Sequence, residues 1–166
     1  MHDQSQPLRK SAQKVADILE ERGFSCVVTE LAESSRTAQQ AADVVGCSVA
    51  QIVKSLVLRG KESGEPYLCE VSGVNRLDTN AVAALVGEPV KMAEADFVRA
   101  VTGYAIGGIP PVGHARDIRT FIDQDLWIYG ELWAAAGTPY ALFRLTPDEL
   151  LAMTGGQVAE LAKSGA

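Results

Sequence analysis

Val15, Ile18 and Leu19 fall on one face of a helical repeat that begins at Ser11 and is stopped by Gly23, which predicts an amphipathic first helix. Residues 1–10 ahead of it are polar and are expected to be frayed and flexible, leaving 11–166 as the folded unit. The period then shortens. Phe24 to Leu31 (FSCVVTEL) is brief and β-branched, the pattern of a strand, and polar AESSR leads to a helix start near Thr37 as N-cap. TAQQAADVVG is a helix broken at Gly46, Ser48 caps a short helical turn, and a strand from about Ile52 to Arg59 carries Lys54. KESGEP has turn composition, so PYLCEVSG returns as the second strand of a hairpin. Helices are predicted at Asn80 to Val86 and Ala95 to Val101, around a strand at Pro89 to Met92. DLWIY, ELWAAA and YALFRL read as strands. Thr146, with Pro147 at N1 and Glu149 at N3, opens a helix with a capping box that Gly155 and Gly156 stop, and a last helix is expected from about Gln157 to Lys163.

Helices and strands alternate without a strict βαβ rhythm, which predicts an α/β or α+β domain with a mixed sheet. The length, 166 residues with 47% apolar, suits one substantial core and one domain. The net charge of −6 gives no long-range attraction to polyphosphate, so bulk binding of nucleic acid, DNA included, is not expected. A local contact with one RNA end stays open, because a few placed cations can hold a terminal phosphate. No stretch approaches the roughly 18 apolar residues that span a bilayer, and no apolar leader precedes residue 11, so no membrane partner and a cytoplasmic location are expected. Cys26, Cys47 and Cys69 are widely spaced, with only His2 and His114 as imidazoles, so neither a zinc site nor a disulfide framework is expected, and no metal or cofactor is called for.

Candidate chemistry begins with Lys54, set among Ile52, Val53, Leu56, Val57 and Leu58. An ammonium buried there needs an anionic partner or a cavity mouth; otherwise it points to solvent from an edge strand or snorkels past its neighbours. TGYAIGGIPPVGHARDI holds four glycines and two prolines in an apolar stretch. Such a loop is either a tight connection or a device that aims backbone N–H groups at one point, as an oxyanion hole does. It fits neither GxxxxGK[ST] nor GxGxxG. His114 follows a Gly-rich turn and reads as a hydrogen-bonded structural residue. There is no GxSxG elbow, and Ser34, Ser35, Ser48, Ser55, Ser63 and Ser72 have no nucleophile context. Ala134 to Thr138 (AAAGT) is either an alanine-rich core strand or the close-approach wall of a small pocket.

Taken in order, TAxxAA, V-K-S-L-V, TGYxIGGIxPxG, T-x-I-D and AAG resemble the YbaK/ProX family, the prolyl-tRNA synthetase-associated editing domain, from about Ser11 to Lys163. The resemblance implies a single α/β domain with a mixed, curved β-sheet surrounded by helices. It implies a trans-editing hydrolase that deacylates mischarged aminoacyl-tRNA at the acceptor end, commonly tRNA-Pro carrying a small wrong amino acid, by attack of water on the ester without a metal. Lys54 would hold the RNA terminus, and Gly107, Gly108 and Pro111 would form a backbone cradle for the ester. Gly103, Tyr104, Gly113, Ala135, Ala136 and Gly137 are the expected substrate-binding positions. Some relatives have Ser-Gly-Gly where this chain has Ala135-Ala136-Gly137, a difference that bears on substrate choice. Phe24, Val45 and Ile52 are candidate pocket walls, and the acidic charge suggests prolyl-tRNA synthetase as a docking partner. Two other functions fit the same residues: a non-catalytic module that binds aminoacyl-tRNA or an amino acid, and a hydrolase of an unrelated small ester.

Overall fold

The computed structural model describes residues 8–31 and 37–164. The expected polar run AESSR and most of the expected flexible N-terminus lie outside the described residues. In chain order the elements are α1 (Lys10–Glu21), β1 (Val28–Glu30), α2 (Ala38–Val45), β2 (Val53–Gly60), β3 (Pro66–Ser72), α3 (Thr79–Val86), β4 (Val90–Met92), α4 (Ala95–Thr102), β5 (Arg119–Asp123), β6 (Leu132–Ala135), β7 (Ala141–Leu145), α5 (Pro147–Thr154) and β8 (Gln157–Ala159).

The mixed α/β domain is the expected one, with its strands hydrogen-bonded as two sheets. Five strands run in the order β4-β2-β3-β5-β8, antiparallel across β4, β2 and β3 and parallel from β3 through β5 to β8. The antiparallel trio β1-β7-β6 forms the other sheet, and a parallel bridge between Ile52 and Trp133 joins the two. Alternation along β2 and β3 gives each side of the large sheet its own core. Val53, Val57, Leu68 and Ile122 pack with α1, α4, α5 and the small sheet. Leu58, Cys69, Val71 and Phe121 pack on the other side with Val82 of α3 and with Leu161. Ala41 and Ala42 of α2 close a third cluster with Leu31, Ile52 and Leu142.

Local signals set most boundaries. Thr37 and Gln40 form a reciprocal capping box for α2, as Thr146 and Glu149 do for α5, and Gly46, Gly87, Gly103 and Gly155 end their helices in the left-handed conformation. Three expectations change. DLWIY is a 3-10 turn, not a strand, because the Asp123 side chain accepts from Asp125 N at 3.0 Å and caps it. The segment from Gln157 is a strand, not a helix: Gln157, Val158 and Ala159 pair in parallel with Phe121, Ile122 and Asp123. The strand expected from Phe24 starts only at Val28, since Phe24 N still bonds Leu19 O to finish α1. β5 itself, RTFID, was not anticipated as a strand, although it is the parallel partner of β3.

Beyond β8 the chain buttresses the turn before α3. Leu161 is fully buried and its carbonyl accepts from Asp78 N at 2.7 Å, Leu77 bridges Ala162, and Lys163 N donates to Arg76 O at 2.8 Å. No helix among the described residues is long and apolar enough to cross a membrane.

Candidate active site at the open edge of β2

β4 covers only Leu58 to Gly60 of β2, so among the described residues the outer edge of the strand from Val53 to Leu56 is left free of a ladder partner. A cavity of about 250 Å³ opens there. Ala38 and Ala41 of α2, Ile52, Ala135 of β6, Leu142 of β7 and Ile109 form apolar walls, while Thr37, Lys54, Ser55 and Gly107 supply polar groups. Ile106 also lines it and is 60% exposed. Ile52 O accepts from Gly73 N on the β3 side, and Val57 O accepts from Ala93 N on the β4 side. Strand alternation therefore turns the N–H and C=O of Ser55 outward to the open edge.

Lys54 is half-buried, and its Nζ donates to the backbone carbonyl of Asn75 at 2.6 Å. Asn75 Nδ2 in turn donates to Asp123 Oδ2 at 2.8 Å and to Asp125 Oδ2 at 2.9 Å. Asp123 is wholly buried and also accepts from Ser72 N at 3.1 Å. Burial lowers the Lys54 pKa from its ordinary value, and the Asp123 charge opposes that shift. Among the described residues no carboxylate pairs directly with this ammonium. Among the described residues one of its three N–H donors is spent, on Asn75, which leaves two for a ligand.

The Gly-rich loop leaves α4 at Gly103 and forms a turn in which Gly108 N donates to Ala105 O at 3.0 Å. The Gly108 N–H is thereby taken, while Gly107 and Ile109 on either side line the cavity. Gly107 has φ +94°, a left-handed value that favours glycine. At Gly108 an added Cβ would stand 2.8 Å from Thr138 Cα, so only glycine lets the loop lie against that backbone. Gly108→Ala is expected to destabilise the fold by about 1–3 kcal/mol and to shift Gly107 away from Lys54. Thermal unfolding and the activity assay below measure both effects, and a variant of unchanged Tm would show that the contact is slack.

The residues singled out in the sequence thus divide. Lys54, Gly107, Ala135 and Ile52 meet at the cavity. Gly108 braces the loop from behind, and a Cβ added at Gly137 would stand 2.7 Å from Ser11 O. Gly103 caps α4, while Tyr104 and Ala136 are buried in the main core, which Phe24 packs against from its edge. Val45 sits in the α2 cluster. Pro111, Gly113 and His114 line a separate groove of about 440 Å³ beside Ile18 and Arg22. His114 Nε2 lies 2.7 Å from Pro110 O. Burial lowers the imidazole pKa, with the Pro110 bond opposing, as suits a neutral ring that donates to the carbonyl and holds the loop. Sequence reasoning missed Ser55, Asn75 and Asp123. Only Asp123 carried a signal, as the last residue of T-x-I-D.

An apolar cavity with an ammonium, a hydroxyl and strand-edge backbone at its rim defines a site for a small ligand with polar ends. Any hydrolysis there would draw on backbone donors, the side-chain donors at the rim and water. Residues 32–153 match the aminoacyl-tRNA editing domain, and the chain belongs to that family. It is 34% identical to YwhH of Bacillus subtilis over 123 residues, which cover 74% of this chain and 78% of YwhH. It is 29% identical over 130 residues to EbsC of Enterococcus faecalis, a candidate Cys-tRNA(Pro)/Cys-tRNA(Cys) deacylase, with 78% and 79% of the two chains covered. A crystal structure of a candidate trans-editing enzyme for prolyl-tRNA synthetase superposes with a TM-score of 0.90 at 53% identity, over 95% of this chain and 100% of the other. The chain is an editing hydrolase of aminoacyl-tRNA, as that family is.

Proposed function

We propose that the chain removes a small wrong amino acid from tRNA-Pro, with the side chain of that amino acid in the cavity beside β2 and the RNA terminus at Lys54. The observation that carries this assignment is the cavity: about 250 Å³, narrowed by Ile52 and Leu142, widened by three alanines (Ala38, Ala41 and Ala135), and carrying Lys54 at its rim. Alanine walls accept a compact side chain by contact and offer no buried polar group that would require a partner. The two remaining N–H donors of Lys54 suit a phosphate oxygen of the terminal nucleotide. Gly107 and Ile109 bring loop backbone to the same space, where N–H groups stabilise the oxyanion formed when water adds to the ester carbonyl. The tetrahedral intermediate then expels the terminal ribose oxygen, which takes up a proton.

A synthetase pocket rejects a side chain that differs by one methylene by only about 10 to 200-fold, so a second sieve has work to do. The similarity to a candidate trans-editing enzyme for prolyl-tRNA synthetase supports tRNA-Pro as the substrate, and the acidic charge of −6 favours delivery by a bound synthetase. The decisive assay follows release of labelled amino acid from tRNA-Pro charged with Ala, Cys, Ser or Pro. Release of one small wrong amino acid with Pro spared is expected. Tight retention of charged tRNA without release would identify a sensor, and hydrolysis of simple esters at the same rate would remove tRNA from the function.

A further inference from the structure

Ser55 and Glu70 are register partners across β2 and β3, and Ser55 Oγ lies 2.7 Å from Glu70 Oε2. Ser55 lines the cavity, whereas Glu70 is wholly buried behind it. Glu70 Oε1 has no hydrogen-bond partner among the described residues. An apolar residue would fill this position in the main core with no polar atom to satisfy, so the fold alone does not account for a carboxyl group here. A lone hydroxyl is poor compensation for a buried carboxylate. A carboxylic acid fits better, since its unpartnered oxygen is a neutral carbonyl.

We propose that Glu70 is a positioning residue: as a carboxylic acid it donates to Ser55 Oγ, which frees the Ser55 O–H to donate into the cavity, to the carbonyl oxygen of the bound aminoacyl group. Were Glu70 ionised, Ser55 would donate to it instead and present only lone pairs to the ligand. The geometry therefore links the protonation of a core residue to the polarity of one cavity hydroxyl. Burial raises the Glu70 pKa to about 8, with the Ser55 bond opposing. On the same face of the sheet its neighbours are Leu68, Ser72 and Ile122, none of which titrates. Cys69, next in the chain, feels the Glu70 charge, while Lys54 and Asp123 lie on the opposite face by strand alternation. Of the buried residues in the core on the Glu70 face Tyr104 is titratable, and Cys26 and Tyr129 pack against that core from its edge.

This inference rests on the hydrolytic function proposed above, and its test separates the two. kcat and KM are measured for the released amino acid from pH 5.5 to 9.5, corrected for spontaneous hydrolysis, in wild type, Glu70→Gln and Ser55→Ala. With Glu70 titrating at about 8, wild-type kcat/KM is expected to fall about tenfold between pH 7 and 9. In Glu70→Gln, whose amide keeps the donor, that fall shrinks below about twofold, and Ser55→Ala loses about 10 to 100-fold in kcat at pH 7 without a pH step. Titration of the substrate's own amino group is common to all three proteins and cancels in the comparison. Parallel profiles for wild type and Glu70→Gln, or a wild-type kcat in Ser55→Ala, would overturn the assignment. If wild type hydrolyses no charged tRNA, the hydrolytic function fails, and affinity for 3′-alanylamido-3′-deoxyadenosine then judges the pair. A tenfold loss from pH 7 to 9 in wild type alone supports it, and equal losses in Glu70→Gln refute it.

Discussion

Lys54→Ala is expected to lower kcat/KM for deacylation by about 100-fold while leaving Tm unchanged or slightly raised. A charge-assisted hydrogen bond to a phosphate contributes about 1.5–3 kcal/mol, which sets the size of the loss. The direction of the stability change follows from the lysine's surroundings. Its ammonium is half-buried with burial lowering its pKa, and among the described residues its one bond is to the Asn75 carbonyl. Removing it relieves desolvation and leaves Asp123 still bonded to Ser72 N, Asn75 Nδ2 and Asp125 N. Loss of activity together with a collapse in Tm would mean that Lys54 holds the fold and not the substrate. Undiminished activity would move the site elsewhere.

Asp123→Ala is expected to act in the opposite way, with a stability loss of about 3–5 kcal/mol, and with it most of the activity. Three donors on three segments converge on this one buried carboxylate: Ser72 N at 3.1 Å, Asn75 Nδ2 at 2.8 Å and Asp125 N at 3.0 Å. Without it two backbone N–H groups lose their acceptor and the turn that presents the Asn75 carbonyl to Lys54 is released. Asp125 Oδ2 still reaches Asn75 Nδ2 at 2.9 Å, so the turn loosens without being freed entirely. Urea denaturation measures the loss. A variant within about 1 kcal/mol of wild type would show that water replaces the carboxylate at little cost.

What was legible in the sequence was legible because its cause is local. The capping residues Thr37 and Thr146 and the terminating glycines act within one helical turn, so α2, α3, α4 and α5 fall where the pattern puts them. Strands that owe their existence to distant partners were harder. QVAELAK has apolar spacing that suits a helix, and only the free edge of β5, more than thirty residues earlier in the chain, makes Gln157 to Ala159 a strand. The same division holds for the site. Lys54 is conspicuous as a cation in an apolar strand, but its anchor is a main-chain carbonyl, which any residue at position 75 would carry. The Gly-rich loop was recognised as one unit, yet Gly107 and Ile109 face the cavity while Pro111 to His114 face another groove. Ser55 carries no motif of its own, and its importance rests on Glu70 fifteen positions away.

The buttress formed by residues 161–163 sets a condition on when the enzyme becomes competent during its own synthesis. Leu161 O, Ala162 and Lys163 N hold the turn at Arg76 to Asp78, whose neighbour Asn75 fixes Lys54. A ribosome that has released the first 150 residues has already made every group that lines the cavity. The lysine is nevertheless not locked in place until the segment after β8 has cleared the exit tunnel and docked. Nascent chains are therefore expected to stay idle until residues 161–163 have docked on the turn at Arg76 to Asp78.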